Sequence, residues 1–151
     1  RKPAVATSAT VAPPVTSEIA RIDGPWTVSF QPGRGAPSVI TLPKLAPLDK
    51  HADARVRYFS GVATYSTTFT LPPTYSTGAP LTIGLGSVGD VAEVHVNGHL
   101  VGTAWHAPWR IDAGLVAKPG RNRIEVKVAN LWVNRLIGDA QPGAQKVTFT
   151  S

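Results

Sequence analysis

Residues 90–110 read Asp-Val-Ala-Glu-Val-His-Val-Asn-Gly-His-Leu-Val-Gly-Thr-Ala-Trp-His-Ala-Pro-Trp-Arg. Ala92, Val94 and Val96 alternate with Glu93 and His95, the period of two expected of a strand with one buried face. Asn97-Gly98 follows at once. A two-residue type I′ turn needs positive φ at both central positions, which Asn and Gly adopt at little steric cost, so a return strand should begin at His99. That strand runs into Trp105 and Trp109, two large aromatics separated by His106, Ala107 and Pro108. A rigid hairpin therefore delivers an aromatic loop, which either meets a ligand or closes a core.

The same alternation recurs on both sides of the hairpin. Upstream, Trp26–Phe30 and Val39–Leu42 read as short strands, and Val62–Leu71 as the longest, with Ala63, Tyr65, Thr67, Phe69 and Leu71 on one face. Pro72-Pro73 ends it, and Leu81, Ile83 and Leu85 begin another, where Gly84, Gly86 and Gly89 mark a bulge or a close backbone approach. Downstream, Lys118-Pro119-Gly120-Arg121-Asn122 is a turn, after which Ile124, Val126 and Val128 face inward and Glu125 and Lys127 outward. Val147–Phe149 gives a last strand. Residues 43–56 lack a clear period and hold at most one helical turn. Short strands separated by turns, with hardly any helix signal, predict an all-β, antiparallel β-sandwich of the jelly-roll type.

Residues 1–20 are rich in Ala, Thr, Val, Ser and Pro and have little to bury, so they read as a linker or leading edge segment. Residues 21–151 form the domain proper. A chain of 151 residues can bury roughly two thirds of its unfolded surface without a disulfide or structural metal. The absence of cysteine removes thiol nucleophiles and zinc-thiolate sites. There is also no methionine, and the chain opens on Arg-Lys, as expected of a processed piece of a longer polypeptide. No apolar run approaches the ~20 residues of a membrane-spanning helix. The net charge of +6 favours anionic partners in general, but the basic residues are scattered and Arg121-Asn122-Arg123 is the nearest approach to a patch. Nucleic acid is not the expected partner, because basic residues are not interleaved with aromatics.

Several of these segments, in this order, resemble a known arrangement. Tyr58-Phe-Ser-Gly-Val-Ala-Thr-Tyr65, Leu85-Gly-Ser-Val88, Ala92–Gly98 and Gly120-Arg-Asn-Arg-Ile-Glu-Val126 are similar to the sugar-binding-type sandwich of family 2 glycoside hydrolases. Asn130-Leu-Trp-Val-Asn-Arg-Leu-Ile-Gly-Asp139 resembles the end of the C-terminal galactose-binding-like domain of family 106 α-L-rhamnosidases. The resemblance implies a non-catalytic carbohydrate-binding module of a bacterial glycoside hydrolase, monomeric and extracytoplasmic (periplasmic or secreted). Its partners would be a glycan, rhamnose-containing or acidic, and the catalytic domain that carries the reacting carboxylates. It equally allows a structural domain that buttresses the catalytic domain and binds no sugar, since a fold does not fix a function.

Two clusters are candidate carbohydrate contacts. In the first, Trp105 and Trp109 offer planes on which the C–H face of a sugar can stack, with His106 and Arg110 as polar contacts. The alternative is that Trp105 ends a strand and Trp109 caps the open end of the sandwich. In the second, Asn134 and Arg135 lie among Trp132, Leu136 and Ile137, and Arg135 stands four residues before Asp139, so one helical turn would pair them. That cluster could instead be a polar corner tying the strand end to the domain. No catalytic residue is assigned: Glu93 and Glu125 could be neighbours on adjacent strands, but their flanks offer no nucleophile. The histidines His51, His95, His99 and His106 lack zinc-type spacing, and no cofactor is expected. Calcium held by loop oxygens near Asp23, Asp90 or Asp112 stays open.

Overall fold

The computed structural model describes residues 15–86, 88 and 91–143. The strands, in chain order, are β1 (Trp26–Phe30), β2 (Val39–Leu42), β3 (Gly61–Leu71), β4 (Thr82–Gly84), β5 (Val91–Val96), β6 (His99–Ala104), β7 (Arg110–Asp112) and β8 (Gly120–Asn130). They form an antiparallel six-stranded sheet in the order β2-β1-β3-β8-β5-β6 and a two-stranded sheet, β4-β7. The fold is the all-β, antiparallel sandwich that the alternating pattern predicts.

Alternation fixes which face of the large sheet is buried. Val28, Val94 and Val96 are fully buried, each worth roughly 1.5–3 kcal/mol of apolar burial, together with Phe30, Ala63, Phe69, Ala92, Ile124 and Val126. The small sheet helps cover this face through Ile83 and Ile111, both in the same core. Gly102 permits the approach: a Cβ there would stand 3.1 Å from Ile111 Cγ2, tighter than ordinary contact. The opposite face carries Ser29, Thr64, Lys127 and Glu93 in one row across β1, β3, β8 and β5.

The hairpin forms as its sequence predicts. Asn97 and Gly98 take φ of 51° and 84°, and Val96 pairs with His99. The bulge falls at Val94/His95 rather than beside the glycines that precede β5. Residues 110–112, which lack enough alternation to read as a strand, pair with β4 because Ile111 is drawn into the core opposite Ile83. The chain between β2 and β3 holds a 3-10 turn at Leu48–Lys50 and one helical turn, α1 (Ala54–Arg57), capped by Asp53, whose side chain accepts from the Arg55 N–H.

A longer helix, α2 (Trp132–Asp139), follows β8 and contains the turn that the Arg135–Asp139 spacing predicts, in a fold that otherwise holds little helix. It is locked to the start of β3. Ser60 Oγ donates to the Leu131 carbonyl at 2.6 Å and accepts from the Arg135 N–H at 3.0 Å. Gly138 lies against Tyr58, close enough that a Cβ would come within 2.5 Å of Tyr58 Cβ. The strand expected at Val147–Phe149, most of the leading segment 1–20, and Ser87, Gly89 and Asp90 lie outside the described residues.

Candidate functional site

The β6–β7 loop separates the two tryptophans. Trp105 is 69% exposed, whereas Trp109 is half-buried and packs on the core. The division follows from the strands on either side. Ala104 is the last buried residue of β6, so Trp105 takes the outward alternation, while the Trp109 carbonyl accepts from Leu85 N at 2.8 Å and holds that residue against the sandwich. Core closure therefore describes Trp109 but not Trp105.

Beside Trp105, the His106 ring lies edge-on, with centroids 4.8 Å apart at 69°. His106 Nδ1 donates to the Ala107 carbonyl at 2.8 Å, which leaves Nε2 as the acceptor whenever the ring is neutral. Arg110 opens β7 with its side chain exposed. An exposed indole, an imidazole acceptor and a guanidinium donor on one loop supply what a sugar ring asks for: an apolar plane, and hydrogen-bonding groups beside it.

The second cluster is different. Arg135 is only 8% exposed and forms a buried ion pair with Asp139, Nε donating to Oδ1 at 2.7 Å and Nη2 donating to the same oxygen. The predicted four-residue pairing is present, and it turns the guanidinium inward. Arg135 as an accessible sugar contact is thereby corrected: burial and the Asp139 carboxylate commit it to the interior. Asn134 is half-buried on the same helix.

Both clusters lie at one end of the large sheet. Trp105 follows Ala104, whose neighbour across the sheet is Ala92, then Val128, from which β8 runs on to α2. Strand β5 stands between β6 and β8, so the two elements are about 10 Å apart in the sheet. The site residues thus share an end but divide into an open group, Trp105, His106 and Arg110, and a closed one around Arg135.

The carboxylates that could suggest hydrolysis are engaged elsewhere. Register sets Glu93 opposite Lys127 and His95 opposite Glu125. Glu93 accepts from His95 Nε2 at 2.5 Å and Lys127 Nζ at 3.2 Å, and these bonds hold its carboxyl below the usual range. Glu125 accepts from Arg123 Nη2 at 2.7 Å. Among the described residues no group of three or more His, Asp or Glu side chains is placed to hold a metal ion. Of the residues considered for calcium, Asp112 caps the following turn, Oδ1 accepting from Gly114 N at 2.9 Å, and Asp90 lies outside the described residues.

One polar group escaped the sequence reading. Asn122, 1% exposed, accepts from Lys118 N at 2.9 Å and donates to the Lys118 and Gly120 carbonyls at 2.7 and 3.0 Å. Asn97 Nδ2 donates to Asn122 Oδ1 and to the Val116 carbonyl, both at 2.9 Å, and Asn97 Oδ1 accepts from Arg123 N at 3.0 Å. The signal was present in the two Asn-bearing turns, Val96-Asn97-Gly98 and Pro119-Gly120-Arg121-Asn122, but nothing in either turn says that they meet.

The antiparallel six-stranded sheet, covered by the β4-β7 pair, defines a β-sandwich domain of the galactose-binding-like kind. The chain belongs to the glycosyl hydrolase 2 galactose-binding domain-like family, which matches residues 46–148. It is similar to a rhamnosidase from Novosphingobium sp. PP1Y of known structure: 54% identity, TM-score 0.87, covering 93% of this chain and 13% of that one. A "Putative beta-glucuronidase" of Formosa agariphila is 40% identical over 117 residues, which make up 77% of this chain and 10% of the relative. The β-glucuronidase of Ruminococcus gnavus is 25% identical with TM-score 0.60, covering 79% of this chain and 22% of that one. The chain thus spans a small part of each of these proteins.

Proposed function

We propose that the chain is a non-catalytic accessory domain of a rhamnosidase-type glycoside hydrolase and that it contacts glycan through Trp105, with His106 and Arg110 beside it. The observation that carries this reading is the exposure of Trp105, 69%, on a loop whose other tryptophan is packed into the domain. An indole left in water gains nothing from hydrophobic burial, and a sugar face would supply that burial. The 54% identity to the Novosphingobium rhamnosidase favours a rhamnosidase-type parent, and assignment to family 106, a C-terminal place in the chain and export from a bacterial cytoplasm belong to the same proposal.

The test is a titration of the 151-residue chain against rhamnose, galactose and a panel of neutral and acidic polysaccharides, followed by tryptophan fluorescence. A saturable change abolished in Trp105→Ala supports the reading. A second reading, a domain that only buttresses its neighbours, is favoured by Arg135, whose commitment to Asp139 removes a sugar donor from the candidate set. It predicts no saturable change with any glycan.

A further inference from the structure

The outward face of the large sheet changes character along its length. At the end bearing β3's last turn, Thr70 and Thr68 face Arg121 and Arg123, a polar surface suited to water. At the other end the register aligns Val62, Ala129 and Val91 side by side across β3, β8 and β5. Val62 and Val91 are 40% and 43% exposed, although their inward neighbours Ala63 and Ala92 are fully buried. Leu131, one residue beyond β8, is exposed as well, and so is Ile137 on α2. An isolated exposed valine needs no explanation, but Val62, Ala129 and Val91 aligned across three strands form an apolar row.

We infer that this row of Val62, Ala129 and Val91, with Leu131 just beyond β8, is the seat of another domain of the same polypeptide, packed through apolar side chains. The inference deepens the accessory-domain reading and rests on it. Size argues for a tethered occupant. Freely diffusing partners use roughly 20–30 residues a side, far more than this row offers. A covalently linked neighbour meets the row at an effective concentration of about millimolar and can be held by a smaller contact. The matched relatives accommodate such a neighbour, since this chain corresponds to 13% of the Novosphingobium rhamnosidase and 10% of the Formosa protein. Trp105 follows the strand beside β5, so the proposed glycan contact would stand at the rim of the junction.

The absence of cysteine from the chain gives a direct test by thiol labelling. Val62→Cys and Val91→Cys probe the row, and Thr70→Cys probes the same face eight residues along β3, about 27 Å away. Each variant is labelled with a maleimide in the 151-residue chain and in the full-length polypeptide of its gene, with the modified peptide read by mass spectrometry. The expected result is comparable labelling of all three in the 151-residue chain, and at least tenfold slower labelling of Val62→Cys and Val91→Cys, but not of Thr70→Cys, in the full-length protein. Equal rates in both settings would overturn the inference, as would a gene product with no further domain. Slow labelling already in the 151-residue chain would also overturn it, pointing to its own terminal residues or, where the rate depends on concentration, to self-association. No sugar is involved, so loss of glycan binding and loss of docking are read separately.

Discussion

The side-chain amide of Asn97 donates to Oδ1 of Asn122 at 2.9 Å, joining the β5–β6 hairpin tip to the turn that opens β8. Asn122 also satisfies backbone groups of its own turn, and Asn97 reaches across to the Val116 carbonyl and the Arg123 N–H. The pair sets the hairpin's position against the sheet, and so the place at which β6 hands the chain to Trp105.

Asn122→Ala should lower stability by about 2–3 kcal/mol, because the Lys118 N–H and the Asn97 amide are left buried without their acceptor. Asn97→Ala should cost a similar amount, with added strain from its φ of 51°. Urea unfolding of both single variants and the double variant should show a combined loss clearly smaller than the sum. Strict additivity would contradict a shared network.

Gly138→Ala should destabilise the domain by about 1–3 kcal/mol even though alanine favours helix by about 1 kcal/mol, since its Cβ meets Tyr58. Thermal unfolding decides the sign, and a stabilised variant would mean that α2 does not pack on Tyr58.

Trp105→Ala should change stability by less than about 0.5 kcal/mol, whereas Trp109→Ala should cost about 2 kcal/mol for the packing it removes. Chemical denaturation of the two variants separates a residue kept for contact from one kept for the core. Equal losses would remove that distinction.

Tyr65 lies on β3 between Val28 and Val126, and burial pushes its phenol from about 10 up to about 12. Its contribution is complete below the unfolded value near 10 and is lost as pH rises through 10 to 12, because the unfolded chain ionises first. At about 1.4 kcal/mol per pH step, the loss should reach roughly 2–3 kcal/mol by pH 12. Unfolding curves of Tyr65→Phe and the parent chain at pH 8 and 12 should diverge in that direction, and parallel curves would contradict it.

The hairpin, the long strands and their inward faces were legible because period-two alternation and the Asn97-Gly98 turn are local signals. Strand β7 was not, since Arg110-Ile111-Asp112 holds one apolar residue and pairs only because Ile111 meets Ile83 across the core. Helix α2 showed itself through the spacing of Arg135 and Asp139, but its docking depends on Ser60 and Tyr58, more than seventy residues away in the chain. The same distance hid the burial of Arg135. Likewise, sequence could nominate the Trp105–Arg110 loop but could not tell which tryptophan would stay in water, because that follows from Leu85 binding the Trp109 carbonyl.

The central claim is that Trp105 is kept in water for a glycan. It is tested most directly by fluorescence titration of the 151-residue chain and its Trp105→Ala variant, both shown to be folded, against rhamnose and the polysaccharide panel. The account predicts a saturable change in the parent chain, reversed by competing free sugar and absent from the variant. No change across the panel, or an equal change in the variant, would contradict it.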